Sequence, residues 1–462
     1  MADEPIRGSF ETLTLDGGTQ VPWYLVEFGK DGNLKSPQIY DDLVRGAREG
    51  DFTDVFLFSH GWNNDFPTAT GRYRDFFQSF AALRRDHGLS LGRDYRPLLV
   101  GVVWPSTILV LPGERPPELA AADDGTGSLD PATARDVDEI AGLLDAEGEA
   151  ALRRLAAVEE LDQEGINELA ALLAPLYGRG NDPFDDVGGE DDLTARELKA
   201  LWRDLEPAAP PAPAGDGGLP GFADGGGGPA EGPEAAGFLS ALDPRKAIRV
   251  FTVYQMKDRA GRVGAAGVGP LVRDLKGASG GRLHLIGHSF GAKVVLSALA
   301  SGALPGDGQV HSALLLQPAV NGWCFAEDVD GEGFSGRYRP VRHQVRLPIL
   351  TTFTEHDAPL TKFFHLALRR KRDLGERGPD LAADAPSRYG ALGGFGPQGL
   401  EPPEHLEIEM PAPGSPYPLR RPGLEILALR GHHAIDGHGG IIHPHSAWAL
   451  WSCVAEDGGR DA

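Results

Sequence analysis

The sequence has very little cysteine and no long apolar run, and each shortage excludes a class of protein. Cys324 and Cys453 are the only cysteines in 462 residues, too few for a disulfide scaffold or a zinc-finger spacing. No window of about 18 uninterrupted apolar residues occurs, and the first residues show neither the basic flank nor the apolar run of a signal peptide. We therefore expect a cytoplasmic protein with no integral membrane association.

Basic residues are scarce relative to acidic ones. Lys and Arg total 44 against 67 Asp and Glu, which gives a net charge of −23. A field of this sign repels polyanions, which argues against nucleic acid as a partner. Residues 113–245 hold 30 acidic and 9 basic residues, so −21 of the charge lies there and only −2 elsewhere. This distribution predicts an acidic module inserted into the chain.

The acidic module divides into two parts of different composition. Residues 130–205 carry apolar side chains such as Ile140, Leu144 and Leu155 at helical intervals, which indicates several amphipathic helices. Residues 207–237 hold 17 Gly and Pro among 31 residues and cannot bury enough apolar surface to fold. The predicted organisation is a core formed by 1–112 and 246–462, an acidic helical cap insert over 113–206, and a flexible linker over 207–237.

The rest of the chain alternates short apolar runs with helical stretches. Such continuously apolar strands are typical of a parallel sheet that helices cover on both faces. Two N-terminal runs, 13–15 and 23–28, could add an antiparallel edge. The pattern predicts helices at 72–85, 291–304 and 361–372, and strands at 55–58, 98–104, 248–254, 283–286, 313–316, 349–353 and 424–429.

The motif Gly287-His288-Ser289-Phe290-Gly291 stands between a predicted strand and a predicted helix. Strand, G-x-S-x-G and helix together are the context of a nucleophile elbow, in which the glycines allow a tight turn and the serine hydroxyl is exposed at the sheet edge. Ser289 is therefore the candidate nucleophile.

At these residues the sequence resembles the α/β-hydrolase superfamily, over about residues 10–110 and 246–454. The run Ser59-His60-Gly61-Trp62 closes the first long strand where the family has a His-Gly turn. The resemblance implies an oxyanion hole formed by the backbone N–H groups of Trp62 and Phe290. We interpret His60 itself as a buried structural imidazole.

The resemblance also places an acid after the strand that lies two strands beyond the nucleophile, and a histidine after the last strand. Asp357 follows the predicted strand 349–353 and is the candidate acid, with Glu355 as the close alternative. His438 lies between glycines after the strand 424–429 and is the candidate base, with His443 as the alternative base. Less favoured for the same role are His432, His433 and His445.

These residues predict a serine hydrolase in which Ser289 attacks an acyl carbonyl, His438 carries the proton and Asp357 orients the imidazole. By analogy with the family, the substrate is a small-molecule carboxylic ester or lipid-like acyl compound. We expect no cofactor. We also expect no metal, because thiol ligands are missing around the histidines and Asp436 is the only acid near them. The rival hypothesis is a catalytically silent member of the fold that binds a partner through the acidic insert.

Overall fold

In a computed structural model of the protein, the described residues are 8–15, 19–62, 64, 66–89, 95–106, 131–177, 194–196, 198–199, 202, 242–306, 308–329, 331, 333–364 and 390–456. The predicted linker 207–237 lies outside these residues. So do the first part of the insert and most of the helix expected over 361–372.

One nine-stranded sheet lies at the centre of the described structure. Its strands are β1 (Glu11–Leu15), β2 (Thr19–Glu27), β3 (Asp54–Ser59), β4 (Pro97–Val103), β5 (Arg282–His288), β6 (Ser312–Leu316), β7 (Ile349–Phe353), β8 (His405–Glu409) and β9 (Ile426–Arg430). Their order is β1-β2-β4-β3-β5-β6-β7-β9-β8. Every neighbouring pair is parallel except β1 with β2. The expected antiparallel edge is therefore β1 alone.

Helices flank this sheet. They are α1 (Pro37–Glu49), α2 (Phe66–Asp86), α3 (Pro131–Ala141), α4 (Ala146–Ala156), α5 (Gln163–Tyr177), α6 (Pro244–Arg262), α7 (Gly269–Ala278), α8 (Phe290–Ala300), the single turn α9 (Leu392–Phe395) and α10 (Pro444–Ala455). A π-helical segment, Val263–Val268, joins α6 to α7. None of the helices in the described part of the chain has the length and apolar character needed to cross a bilayer.

The two faces of the sheet pack into two separate cores. Along β3, Val55 and Leu57 belong to a core shared with α1, α6, α7 and α8, whereas Phe56 and Phe58 belong to one shared with α2 and α10. Successive side chains of a strand point to opposite faces. Because both faces of β3 are covered, its four central residues, 55–58, are all apolar, as expected for a buried parallel strand.

The strand predicted at 248–254 is wrong, because these residues belong to helix α6. The Asp243 side chain accepts a hydrogen bond from Arg245 N at 2.9 Å and caps the helix, and Pro244 occupies its first turn. Ile248 and Phe251 are fully buried at a spacing of three residues, which suits one face of a helix. The run is apolar because one face of α6 is buried between neighbouring elements.

Helices form in the insert and pack against α6. Ile140 of α3, Leu155 of α4 and Leu169 of α5 are buried in the core that contains Phe251 of α6. Arg259 of α6 forms an ion pair with Glu139 of α3 and donates a hydrogen bond to Pro105 O, just beyond β4, at 2.9 Å. The apolar faces of these three helices are thus in contact with α6. The role of this module as a cap stays a prediction.

Candidate active site

Ser289 lies at the turn between β5 and α8 with φ 57° and ψ −126°, a backbone conformation that few residues other than glycine adopt. The two glycines of the motif make this turn possible. A Cβ on Gly291 would collide with Ser59 O at the end of β3, and a Cβ on Gly287 would lie 2.5 Å from Ala292 Cα. The strained turn therefore holds Ser289 at the carboxyl edge of the parallel strands and at the N-terminus of α8.

The turn after β3 lies directly against Ser289. A Cβ on Gly61 would lie 2.5 Å from Ser289 Cβ and 3.1 Å from its Oγ. Asn64 Nδ2 donates hydrogen bonds to Gly61 O at 3.0 Å and Trp62 O at 2.8 Å, which fixes the path of this turn. The backbone of residues 61–62 is thus placed beside Ser289. On the other side, Phe290 opens α8, where the first N–H groups have no acceptor within the helix.

His60 is a buried neutral imidazole that supports the same turn. Its Nε2 accepts a hydrogen bond from Trp104 N at 3.3 Å, and its Nδ1 lies 2.9 Å from Gly61 O. Its ring stacks on that of Trp104 with the centroids 5.5 Å apart. Burial lowers the pKa of His60 to about 4. Neither of these hydrogen bonds involves Ser289, which agrees with a structural role for His60.

The structure brings Ser289, His438 and Asp357 together from the ends of three strands. Ser289 Oγ lies 2.8 Å from His438 Nε2, and His438 Nδ1 lies 2.8 Å from Asp357 Oδ2. A carboxylate can only accept, so Nδ1 carries the imidazole proton and Nε2 is free to accept from the serine hydroxyl. Asp357 is fully buried and the His438 side chain is 23% exposed. The imidazole is thus the most accessible side chain of the three.

Asp357 accepts two further hydrogen bonds. Gln317 Nε2 donates to Asp357 Oδ2 at 3.0 Å, and Leu360 N donates to Oδ1 at 3.0 Å. With His438 Nδ1, three donors therefore surround one buried carboxylate. Burial of a charged group is costly unless it is hydrogen-bonded, so these donors are what make a charged carboxylate tolerable at this position.

The loop that carries His438 is attached to β5 by the second residue of the motif. His288 Nε2 donates a hydrogen bond to His438 O at 2.9 Å. Burial, the main cause, and the neighbouring His438 lower the pKa of His288 well below its usual value. His288 is therefore neutral, and its N–H holds the backbone of the residue whose ring contacts Ser289.

The alternatives considered from the sequence lie elsewhere. The Glu355 side chain is exposed, and its backbone N donates to His432 Nδ1 at 3.3 Å. His443 caps the N-terminus of α10, where its Nδ1 accepts from His445 N at 3.3 Å. His433 lies 3.7 Å from a carboxylate oxygen of Glu409. The side chain at hydrogen-bond distance from Ser289 Oγ is thus that of His438, not of these histidines.

Two residues of this site were missed by the sequence reasoning. His288 stood inside the recognised motif but at a position where the motif allows any residue. Gln317 lies outside every motif, and a glutamine after an apolar strand carries no signal of its own. Both contribute through hydrogen bonds that depend on how distant segments pack.

The described residues contain no group of three or more His, Cys, Asp or Glu side chains that could hold a metal ion. Comparison of the chain with models of protein families, with curated proteins and with solved structures found no match. The class that the structure establishes is an α/β protein with a mostly parallel sheet.

Proposed function

We infer that this chain is a serine hydrolase of the α/β-hydrolase fold that works through an acyl-enzyme. The proposal rests on one observation. His438 Nε2 lies 2.8 Å from Ser289 Oγ and His438 Nδ1 lies 2.8 Å from Asp357 Oδ2, so the three side chains form one hydrogen-bonded chain. Ser289 itself lies on a strained strand-to-helix turn. This is the arrangement in which a base activates a hydroxyl and is itself oriented by a third group. The chain order Ser, Asp, His matches the hydrolase order.

In the proposed reaction, Ser289 Oγ attacks the acyl carbonyl carbon while His438 Nε2 takes the hydroxyl proton. The carbonyl oxygen becomes negative, and the Ser–C bond forms. His438 then gives the proton to the leaving group, which departs as the acyl-enzyme forms. A water molecule then attacks the acyl carbon while His438 Nε2 takes one of its protons, and the bond between that carbon and Ser289 Oγ breaks. The carboxylic acid leaves, and His438 returns the proton to Ser289 Oγ. Asp357 keeps the imidazole oriented and stabilises its positive charge.

The negative charge on the substrate oxygen needs donors that are already in place. We assign them to the backbone N–H groups of Trp62 and Phe290. Two facts support this assignment: Gly61 is packed directly against Ser289, and Phe290 is the first residue of α8. The positive end of the helix dipole adds to the same stabilisation.

The proposed substrate class is a carboxylic ester or a lipid-like acyl compound. This part of the proposal rests on the resemblance to α/β-hydrolases, in which esters are frequent substrates, and not on the shape of a cleft. No cofactor is needed for the chemistry as written, because each proton is carried by His438.

A fluorophosphonate probe tests the proposal, because it reacts covalently with activated serines. We expect one label per chain, on the peptide that contains Ser289, and none in Ser289→Ala. Ser446→Ala is the matched control, since Ser446 is another buried serine and its hydroxyl has no hydrogen-bond partner among the described residues. Circular dichroism should show all three proteins folded. An unlabelled wild-type protein would instead favour the rival, catalytically silent protein.

A further inference from the structure

Gln317 is the residue directly after β6, and its backbone is strained. Its φ is 43°, and apart from Ser289 it is the one non-glycine residue with positive φ among the described residues. Its side chain is fully buried. Strained backbone in a buried residue persists only where the surrounding structure holds it, and such positions cluster at functional sites. The two residues of this kind lie on the same hydrogen-bonded chain of side chains, from Ser289 through His438 and Asp357 to Gln317.

The Gln317 amide has one orientation that satisfies all its neighbours. Its Nε2 donates to Asp357 Oδ2 at 3.0 Å and to Gly393 O at 3.1 Å, which uses both amide hydrogens. Its Oε1 accepts from Thr352 Oγ1 at 2.9 Å, and Thr352 Oγ1 in turn accepts from Gln317 N at 2.9 Å. Turning the amide over would place two acceptors against its oxygen and a donor against its nitrogen. Thr352 therefore fixes which end of the amide faces the acid.

We propose that Gln317 is a positioning residue for the reaction: it acts through Asp357 and holds the carboxylate in the orientation that His438 requires. The inference rests on the proposed function, because the reaction is the one in which Asp357 orients His438. The two donors meet the same oxygen, since Gln317 Nε2 and His438 Nδ1 both lie within 3.0 Å of Oδ2. Leu360 N holds the other oxygen. Without Gln317 the carboxyl group can turn about its Cβ–Cγ bond, and His438 loses its fixed acceptor.

A purely structural role for Gln317 makes a different prediction. The Gln317 amide also donates a hydrogen bond to Gly393 O and so attaches that backbone to the end of β6. If the role of Gln317 is purely structural, removing the amide loosens the segment at Gly393 and has no other effect. In that case the variants would lose stability, but the surviving folded protein would react at the wild-type rate and with the wild-type pH dependence. The rate of folded protein and its response to pH therefore separate the two roles.

The test measures the second-order rate of fluorophosphonate labelling at Ser289 in three variants, from pH 5 to 9, with melting temperatures recorded in parallel. Gln317→Met keeps the size of the side chain and removes its donors. Gln317→Glu keeps the acceptor for Thr352 and places a second carboxylate beside Asp357. The control, Thr351→Val, removes a buried hydroxyl from β7, the strand that carries Thr352. This hydroxyl has no hydrogen-bond partner among the described residues.

We expect Gln317→Met to label about tenfold to a hundredfold more slowly than wild type, as befits the loss of a hydrogen bond to a charged group. Thr351→Val should label at the wild-type rate. The pH at which the labelling rate reaches half its maximum should move upward in Gln317→Met and further upward in Gln317→Glu. The reason is that a carboxylate with one donor fewer, or with a second negative charge beside it, attracts the His438 proton more strongly.

The ionisable groups around His438 limit how a pH shift can arise. Besides Asp357, they include His288 on β5, whose own electrostatic neighbours are His438, His60 and Arg72. Arg72 of α2 also lies beside Gly439, His356 beside Gly437 and Asp436 beside Gly440. None of them is changed in the variants, so an upward shift is assigned to the carboxylate.

Three results would overturn the inference: a rate within threefold of the control in both Gln317 variants, an unshifted half-maximum, or a shift to lower pH. Should Gln317→Met fail to fold, Gln317→Glu carries the decision alone. An unlabelled wild-type protein would refute the proposed function itself, whereas equal labelling of wild type and variants would refute only the role of Gln317.

Discussion

Replacing Asp357 by Asn tests the centre of the proposed mechanism with the loss of a single charge. The carboxylate accepts three hydrogen bonds, two on Oδ2 from His438 and Gln317 and one on Oδ1 from Leu360 N. An amide has one acceptor oxygen. If that oxygen takes the Oδ2 position, its NH₂ group faces Leu360 N–H. If it takes the Oδ1 position, the NH₂ group faces Gln317 and His438.

The cost of either placement follows from this count of donors. Each leaves at least one buried donor without an acceptor, which lowers the free energy of unfolding by about 1–3 kcal/mol. Each also removes the anion that stabilises the protonated imidazole, and the second placement turns His438 into the wrong tautomer. We expect the labelling rate at Ser289 to fall by a factor between about 10² and 10⁴.

The assay is fluorophosphonate labelling followed over time, together with urea unfolding at pH 7. Glu355→Gln is the matched control, because it makes the same chemical change two residues away on an exposed side chain. It should change neither quantity measurably. Asp357→Asn labelling within threefold of wild type would refute the orienting role of this carboxylate. A loss confined to Glu355→Gln would move the acid to that residue.

The turn beside Ser289 and the buried imidazoles give two more expectations. Gly61→Ala should slow labelling on the order of a hundredfold, because its Cβ would lie 2.5 Å from Ser289 Cβ; an unchanged rate would mean that the turn shifts freely. His311, which precedes β6, is another buried imidazole, with its Nε2 3.2 Å from Cys453 O. Burial lowers the pKa of His60 and of His311 to about 4, so as the pH falls each takes up its proton in the unfolded chain before it does so in the folded one. The stability that each contributes is complete above pH 6.5, and it is lost towards pH 4 by up to roughly 3 kcal/mol per group. Urea unfolding from pH 7 to 4 should show this fall and a flatter one in His311→Asn; equal slopes would contradict it.

The central strands could be predicted closely from the sequence because helices cover both of their faces. The run predicted at 55–58 is β3, and the run at 349–353 matches β7 residue for residue. The same rule failed at 248–254, where a run of β-branched and aromatic residues belongs to helix α6 and contributes Ile248 and Phe251 to the core. The helix-start signal was present there, since Asp243 and Pro244 are a capping residue followed by a first-turn proline.

The edge of the sheet and the support of the site could not be predicted in the same way. Strand β8 reads His-Leu-Glu-Ile-Glu and is half-exposed along its length, so it has no continuous apolar run. Ser289 was found because its turn needs glycines on both sides, which the sequence shows. Gln317 and His288 matter for where their side chains end, and this depends on Asp357 and His438 arriving from segments far along the chain.

The order of the candidate triad residues along the chain determines when, during synthesis, Ser289 can first meet His438. Ser289 follows β5, but its partner His438 is 149 residues further on, after β9. β9 is inserted between β7 and β8, both of which are made before it. Until β9 and the loop after it have been synthesised and folded, Ser289 therefore has no His438 imidazole beside it. Under the proposed chemistry, covalent labelling of Ser289 therefore reports that β9 and the loop carrying His438 have taken their places in the fold.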